Sequence, residues 1–119
     1  GFTESMKVAG WCEAHFVDMM PHLAISPLST AAIVHFMAAI PNAAWMEDRN
    51  RNHDGTFMPK DTERYPRQPE PEGPRYPVTD ETGLGVEVDE EAIKEASAEA
   101  EVEVGDGKRQ HFRDGSKLY

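Results

Sequence analysis

Two ionisable side chains, His22 and Glu47, each come at the end of a short apolar run. An imidazole takes up and releases a proton near neutral pH, so His22 is a candidate base. A carboxyl group in a dry site stays protonated and donates a hydrogen bond, a role that would suit Glu47. The pair would suit removal of a proton next to a carboxylate or carbonyl. The alternative is a turn histidine and a strand-end acid that caps a helix or meets solvent.

The elements expected to position His22 are a helix and a short buried strand. The helix is predicted over about residues 4–15, with Thr3 as its N-cap. The strand is the apolar run FVDMM at residues 16–20, and it ends at Pro21 because proline cannot donate to a strand ladder. His22 is therefore expected just beyond the carboxyl end of this strand.

A second helix and a second strand are expected to position Glu47. Ser26 followed by Pro27 is a helix start signal, and the sequence AAWME at residues 43–47 predicts the strand. A strand, a helix and a strand with short connections predict a right-handed parallel βαβ unit. Ligands bind at the carboxyl ends of strands in parallel α/β folds, so we expect His22 and Glu47 to be neighbours on one rim.

The rest of the chain is less regular. Residues 49–81 contain six of the nine prolines, which predicts a long irregular loop that is functional or disordered. His53 and Asp54 in this loop are further candidates for substrate contact. Beyond it, a tight turn is predicted at the sequence GLG, residues 83–85, and Asp89 is a good N-cap for a helix over about residues 90–100.

Composition narrows the class of partner and the compartment. The 119 residues carry a formal net charge of −10, which repels nucleic acid and anionic membranes. A single cysteine, Cys12, rules out an internal disulfide and favours a reducing compartment. No run reaches the roughly 18 apolar residues of a membrane-spanning helix, and the sequence opens without a signal-peptide pattern. We therefore expect a cytoplasmic protein that binds neither nucleic acid nor membrane.

Three stretches together resemble a known family. They are GFTESMKVAGWCEAHFVDMMPHLAISPLSTAA at residues 1–32, IPNAAWME at residues 40–47 and GLGVEVDEEAI at residues 83–93. In this order and at these distances they are similar to the carboxyl-terminal portion of enolase-superfamily enzymes of the mandelate racemase and muconate lactonizing type. Within that type the sugar-acid dehydratases, of the galactonate and gluconate kind, are the most similar. The resemblance is weakest over residues 49–78.

The resemblance implies an α/β fold, the C-terminal part of a modified TIM barrel. Residues 1–48 would supply the seventh strand, seventh helix and eighth strand of the barrel. Residues 49–78 would form the long loop after the last barrel strand. Residues 79–119 would return to pack on a capping domain.

The resemblance also implies an activity and two site residues. A sugar-acid dehydratase removes the proton next to the substrate carboxylate and eliminates water, which makes it a carbon–oxygen lyase that yields a 2-keto-3-deoxy acid. His22 matches the family's seventh-strand histidine, which would take the proton or assist departure of the 3-hydroxyl. Glu47 matches the eighth-strand glutamate, which would stabilise the developing enediolate.

The remaining implications concern what lies outside this chain. The family's cofactor is Mg²⁺, and its carboxylate ligands are expected on upstream strands, with no metal ligand in residues 1–119. The isolated chain is therefore expected to be inactive, and the full-length enzyme to be a homo-oligomer. Two alternatives stay open: a racemase or epimerase of 2-hydroxy acids from the same superfamily, and a truncated remnant without catalysis. The motifs do not specify which sugar acid is the substrate.

Overall fold

The computed structural model describes residues 1–22, 26–47, 54–56 and 59–99. Within these ranges the chain has four helices, α1 (Phe2–Ala14), α2 (Pro27–Ala38), α3 (Pro59–Arg64) and α4 (Glu90–Glu99). Three isolated β-bridges, one parallel and two antiparallel, join the extended segments of the same ranges. No helix among the described residues is long and apolar enough to cross a lipid bilayer.

The start of α1 differs from the prediction. The helix begins at Phe2 with Gly1 in the N-cap position, and no side chain caps it. The Gly1 carbonyl accepts the first intrahelical hydrogen bond, from the Ser5 backbone N–H at 3.1 Å. Thr3 therefore lies inside the first turn, and the prediction that it caps the helix is wrong.

The end of α1 is a Schellman motif, in which two backbone N–H groups bond back to the last turn. The Phe16 N–H donates to the Glu13 carbonyl at 3.0 Å, and the Val17 N–H donates to the Cys12 carbonyl at 2.8 Å. Phe16 takes the left-handed conformation, with φ of 58°, that glycine usually occupies at this position. This reversal sends the chain from α1 directly into the segment that precedes His22.

The start of α2 agrees with the prediction. The Ser26 hydroxyl accepts a hydrogen bond from the Ser29 N–H at 3.3 Å, and Pro27 occupies the first helical position. A small core then joins α2 to α1 and to the segment between them, and its members are Ala9, Phe36 and Ile40, with Met19 and Met37 packed against them. Because Met19 belongs to that extended segment, the core holds the segment against both helices.

The two predicted strands are reduced to one parallel bridge. Met19 pairs with Ala43, and the bonds run from the Met19 N–H to the Asn42 carbonyl at 2.7 Å and from the Ala44 N–H to the Met19 carbonyl at 3.1 Å. The parallel direction is the one predicted, but neither residues 16–20 nor residues 43–47 form a strand among the described residues. Two short parallel segments without further neighbours make too few ladder bonds to extend into a sheet.

The segment after the site contains more structure than its composition suggested. Residues 59–64 form α3, so the prediction of an irregular loop over residues 49–81 is wrong for these six residues. Pro59 at the first helical position is a helix start signal. It was missed because five other prolines lie in the same segment. Asp89 caps α4 as predicted, and its Oδ1 accepts from the Ala92 N–H at 3.0 Å.

The predicted tight turn at residues 83–85 is confirmed. Gly83 and Gly85 both have φ of 68°, a left-handed conformation that glycine adopts without steric cost. At Gly85 the backbone also passes so close to the Thr79 side chain that a Cβ there would overlap it. Glycine is thus needed at residue 85 for two independent reasons.

Several large apolar side chains remain exposed to solvent. The exposed fractions are 73% for Trp11, 75% for Trp45, 68% for Met20 and 99% for Phe16. The parallel pair also has no further strand neighbour among the described residues. The described part of the chain therefore leaves both large apolar side chains and backbone groups of the pair uncovered.

We expect residues 1–119 produced alone to unfold without a cooperative transition. The small core and the unpaired edges leave little apolar burial to oppose chain entropy. Circular dichroism against temperature, with ultracentrifugation to establish the monomer, measures this. Trp11 and Trp45 are the only tryptophans, so their fluorescence should stay at the wavelength of water-exposed indole. A sharp two-state transition of a monomer with blue-shifted emission would contradict the expectation.

Candidate active site

The structure brings His22 and Glu47 into contact. His22 Nδ1 lies 2.7 Å from Glu47 Oε2. His22 follows Met19 by three residues and Glu47 follows Ala43 by four, and Met19 and Ala43 form the parallel bridge. The contact therefore lies beyond the carboxyl ends of the two paired segments, the place where ligand sites form in parallel α/β folds.

The short distance means that His22 and Glu47 share one hydrogen. Either the imidazole Nδ1–H donates to the carboxylate, or a protonated carboxyl group donates to a neutral imidazole. In both cases Nδ1 is engaged, and Nε2 is the nitrogen that remains for a ligand. The contact thus holds the imidazole ring in one orientation and leaves Nε2 as the nitrogen that can exchange a proton with a ligand.

The pair is open to solvent in the described part of the chain. The His22 side chain is 74% exposed and the Glu47 side chain is 34% exposed. The residues that follow each of them, 23–25 and 48–53, lie outside the described residues. The described residues therefore do not form dry surroundings for Glu47.

His22 also borders a cavity between α1 and α2. The cavity has a volume of about 490 Å³, and its walls are mainly apolar, with Phe2, Val8, Ile33 and Phe36 among them. Apolar walls do not supply the hydrogen bonds that a polyhydroxylated acid requires when it leaves water. The cavity by itself therefore does not provide the polar contacts that bind such an acid.

A metal site is not formed by the residues that the structure describes. Among them no three or more His, Cys, Asp or Glu side chains are arranged to hold a metal ion. The pair offers one imidazole nitrogen and one carboxylate, whereas Mg²⁺ requires octahedral coordination by oxygen. The described residues therefore do not fit a magnesium site by themselves.

The other candidate residues have local partners or fall outside the described ranges. Asp54 Oδ1 accepts from the Thr56 hydroxyl at 2.6 Å and from the Thr56 N–H at 2.9 Å, and these two bonds lower the pKa of Asp54 below its usual value. They close a local turn at the start of the loop. His53 lies outside the described residues.

One residue that bonds the two site-bearing segments together was missed by the sequence reasoning. Asn42 Nδ2 donates to the Ala9 carbonyl at 3.1 Å and to the Val17 carbonyl at 2.9 Å. In the sequence Asn42 follows Pro41 and looks like a helix stop. Its contacts reach 33 and 25 residues back along the chain, so no local pattern could reveal them.

Two extended segments joined by a parallel bridge flank α2, and the imidazole–carboxylate contact lies beyond their carboxyl ends, the side on which barrel enzymes carry their active sites. Residues 1–92 match the family described as enolase C-terminal domain-like, and the chain belongs to that family. The family resemblance inferred from the sequence motifs is therefore confirmed.

A relative that carries an enzyme name is similar over most of the chain. D-galactonate dehydratase of Klebsiella pneumoniae strain 342 is 31% identical over 102 residues, which cover 84% of this chain and 26% of that enzyme. The chain thus spans about a quarter of the length of this relative.

Solved structures of the superfamily share the fold. A Burkholderia xenovorans LB400 protein, provisionally named an L-alanine-DL-glutamate epimerase and crystallised with magnesium and fumarate, has a TM-score of 0.70 and 29% identity, and the match covers 80% of this chain and 22% of that one. An enolase from Pantoea ananatis, with bound D-gluconate and magnesium, has a TM-score of 0.66 and 27% identity, with 80% and 22% covered.

A third structure extends the comparison to the mandelate racemase type. A mandelate racemase/muconate lactonizing enzyme-like protein from Roseovarius sp. TM1035 has a TM-score of 0.64 and 34% identity, and the match covers 81% of this chain and 22% of that one. These neighbours confirm the α/β, TIM-barrel-type class of the fold.

Proposed function

We propose that this chain carries the proton-transfer pair of a carbon–oxygen lyase that dehydrates sugar acids. The observation that carries the proposal is the 2.7 Å contact between His22 Nδ1 and Glu47 Oε2 beyond the parallel bridge. The similarity to a D-galactonate dehydratase and to an enolase with bound D-gluconate supports the substrate class. The reaction is removal of the proton next to the carboxylate, followed by loss of the 3-hydroxyl.

In this proposal His22 Nε2 takes the proton. The contact with Glu47 engages Nδ1 and so presents Nε2 to the substrate. The carbon–hydrogen bond breaks, its electrons form an enediolate, and the carbon–oxygen bond at C3 then breaks to leave an enol. The protonated His22 returns its proton to the departing hydroxyl as water, and the enol tautomerises to a 2-keto-3-deoxy acid.

Glu47 stabilises the charge that develops during proton removal. Its Oε2 accepts from the imidazole when Nδ1 carries the hydrogen, so we assign the carboxyl proton to Oε1. From there it would donate a hydrogen bond to the oxyanion of the enediolate. Such a bond strengthens as charge builds up, and it therefore lowers the barrier more than it tightens substrate binding.

The proposal assigns the rest of the site to strands outside residues 1–119. The magnesium cofactor is supported by the magnesium in the Pantoea and Burkholderia structures. A magnesium ion would supply positive charge next to the substrate carboxylate and make the adjacent proton more acidic. We propose its ligands on upstream strands, and a homo-oligomeric cytoplasmic enzyme as the complete protein.

The domain arrangement follows the same proposal. Residues 1–48 would be the end of the barrel, residues 49–78 the loop after its last strand, and residues 79–119 the segment on a capping domain. In the described part of that segment, the Glu87 N–H donates to the Arg67 carbonyl and the Asp89 N–H to the Arg64 carbonyl, both at 2.9 Å. These bonds join residues 87–89 to the end of α3 and to the residues just after it.

An epimerase or racemase is the second candidate function. The Burkholderia neighbour, with 29% identity and a TM-score of 0.70, bears an epimerase name. A racemase uses the same proton removal but returns a proton to the same carbon, so the pair His22 and Glu47 would serve both reactions. The third reading, a remnant without catalysis, predicts no proton removal.

Incubation of the complete enzyme with magnesium and either D-gluconate or D-galactonate in deuterium oxide separates these candidates. Proton NMR follows the hydrogen next to the carboxylate, and a keto-acid assay follows the dehydrated product. We expect a 2-keto-3-deoxy acid from at least one of the two acids. Deuterium incorporation with inversion and no keto acid would establish the racemase. No exchange and no keto acid with either compound would contradict the proposed dehydratase.

A further inference from the structure

We infer that Asn42 is a positioning residue, which sets the register at which His22 and Glu47 meet. The inference rests on the function proposed above, and it adds a residue that the motifs of the sequence did not point to. Asn42 does not touch either site residue. It acts at the opposite end of the two segments that carry them.

Asn42 joins three parts of the fold through one side chain and one carbonyl. Its Nδ2 donates to the Ala9 carbonyl in α1 at 3.1 Å and to the Val17 carbonyl in the first extended segment at 2.9 Å. Its backbone carbonyl accepts from the Met19 N–H at 2.7 Å, one of the two bonds of the parallel bridge. The second extended segment is thus bonded to α1 and to the first segment at the same point.

The amide can take only one orientation. Both protons of Nδ2 are used by carbonyl oxygens, while Oδ1 is buried and has no hydrogen-bond partner among the described residues. A flip of the amide would turn Oδ1 towards two carbonyl oxygens and leave both without a donor. The contribution of the Asn42 side chain is therefore its two donated hydrogen bonds.

Register matters because the contact between the site residues is diagonal. His22 lies three residues beyond Met19 and Glu47 four residues beyond Ala43. A slip of one residue would move one side chain by about 3.3 Å along the strand and turn it to the other face. A single bridge with two backbone bonds resists such a slip weakly, so the two bonds of the Asn42 amide carry much of the restraint.

The substitution Asn42→Asp in the complete enzyme tests this role. Aspartate has nearly the same shape but no donor when ionised, so both carbonyls lose their partner. We expect kcat to fall roughly 10- to 100-fold, because a displacement of about 1 Å at the reacting groups has an effect of that order. KM should stay nearly unchanged, because Asn42 touches neither site residue and no substrate contact is lost.

Gln68→Glu is the matched control. Gln68 Nε2 donates to the Tyr65 carbonyl at 3.3 Å, and Gln68 Oε1 is also buried without a partner among the described residues. The change from amide to acid is the same, but it lies away from the parallel bridge. We expect kcat of this variant to equal that of the wild type, even if its melting temperature falls.

The ¹⁵N signals of the His22 imidazole supply a second readout. The Nδ1 resonance should shift in Asn42→Asp and stay in place in Gln68→Glu, because only the first change alters the contact with Glu47. A normal kcat in Asn42→Asp beside an inactive His22→Asn variant would overturn the positioning role alone. Full activity of His22→Asn would instead overturn the proposed function.

Asn42→Ala keeps the inference testable if the aspartate variant does not fold. Alanine removes the two donors without placing an anion next to the carbonyl oxygens, and the same selective loss of kcat is expected. An activity loss that only follows the unfolded fraction would reject the positioning role. Failure of both variants to fold would also reject it, since Asn42 would then act on folding rather than on the site.

Discussion

Substitution of His22 by asparagine is expected to abolish turnover in the complete enzyme while leaving magnesium binding intact. Asparagine is polar and compact, but it cannot take up a proton. General base catalysis contributes about 10²- to 10⁴-fold to the rate. The loss of kcat should therefore be at least of this size. Calorimetric titration with Mg²⁺ and the deuterium exchange assay measure the two properties separately.

His15→Asn is the matched control for this prediction. His15 is exposed at the C-cap of α1, where its backbone N–H donates to the Cys12 carbonyl at 3.1 Å. The side-chain change is identical, and wild-type kcat is expected. A His22→Asn enzyme with full activity would show that another group carries the proton, and the role assigned to His22 would be wrong.

Glu47→Gln and Glu47→Ala are expected to differ strongly in the same enzyme. Glutamine keeps a hydrogen-bond donor and nearly the same shape, so partial activity should remain. Alanine removes the donor and the contact with His22 Nδ1, and should lower kcat on the order of 10²- to 10³-fold, as the loss of an oxyanion donor does. Steady-state kinetics of the two variants with the same sugar acid provide the comparison.

Binding of the ground-state acid gives the internal control for Glu47. The hydrogen bond strengthens as charge develops, so the Kd of the unreacted acid should change much less than kcat in both variants. Equal and small losses of kcat in the glutamine and alanine variants would make Glu47 a structural acid. Equal and large losses would show that the carboxylate, rather than a donor, is required next to His22.

Features that depend on residues close together in the sequence were easier to predict than features that depend on residues far apart in the sequence. The N-cap of α2 at Ser26, the cap of α4 at Asp89 and the turn at Gly83 and Gly85 were predicted because each depends on side chains within a few residues. The cap at Thr3 failed because the chain already begins its helix at Phe2, where the Gly1 carbonyl receives the first bond. More than one residue near the start of a helix can take the N-cap position, and the sequence does not always show which one does.

The sequence by itself determined the family, the presence of α1, α2 and α4, and the choice of the two candidate site residues. Motifs carry this information because they are runs of side chains in fixed order, and residues 1–92 match the family in that way. The parallel direction of the two segments followed from the short connections through a helix, and the bridge between Met19 and Ala43 has that direction.

Only the tertiary structure decided how the site is assembled. The 2.7 Å contact of His22 with Glu47 and the two bonds of the Asn42 amide join residues 25 or more positions apart, so they depend on the packing of α1 and α2 around Met19. The predicted strands form only one bridge, because a β-ladder extends only where a neighbouring segment supplies backbone hydrogen-bond partners. The sequence motifs identify which two side chains form the candidate site, but the distance between these side chains depends on how the helices and segments pack.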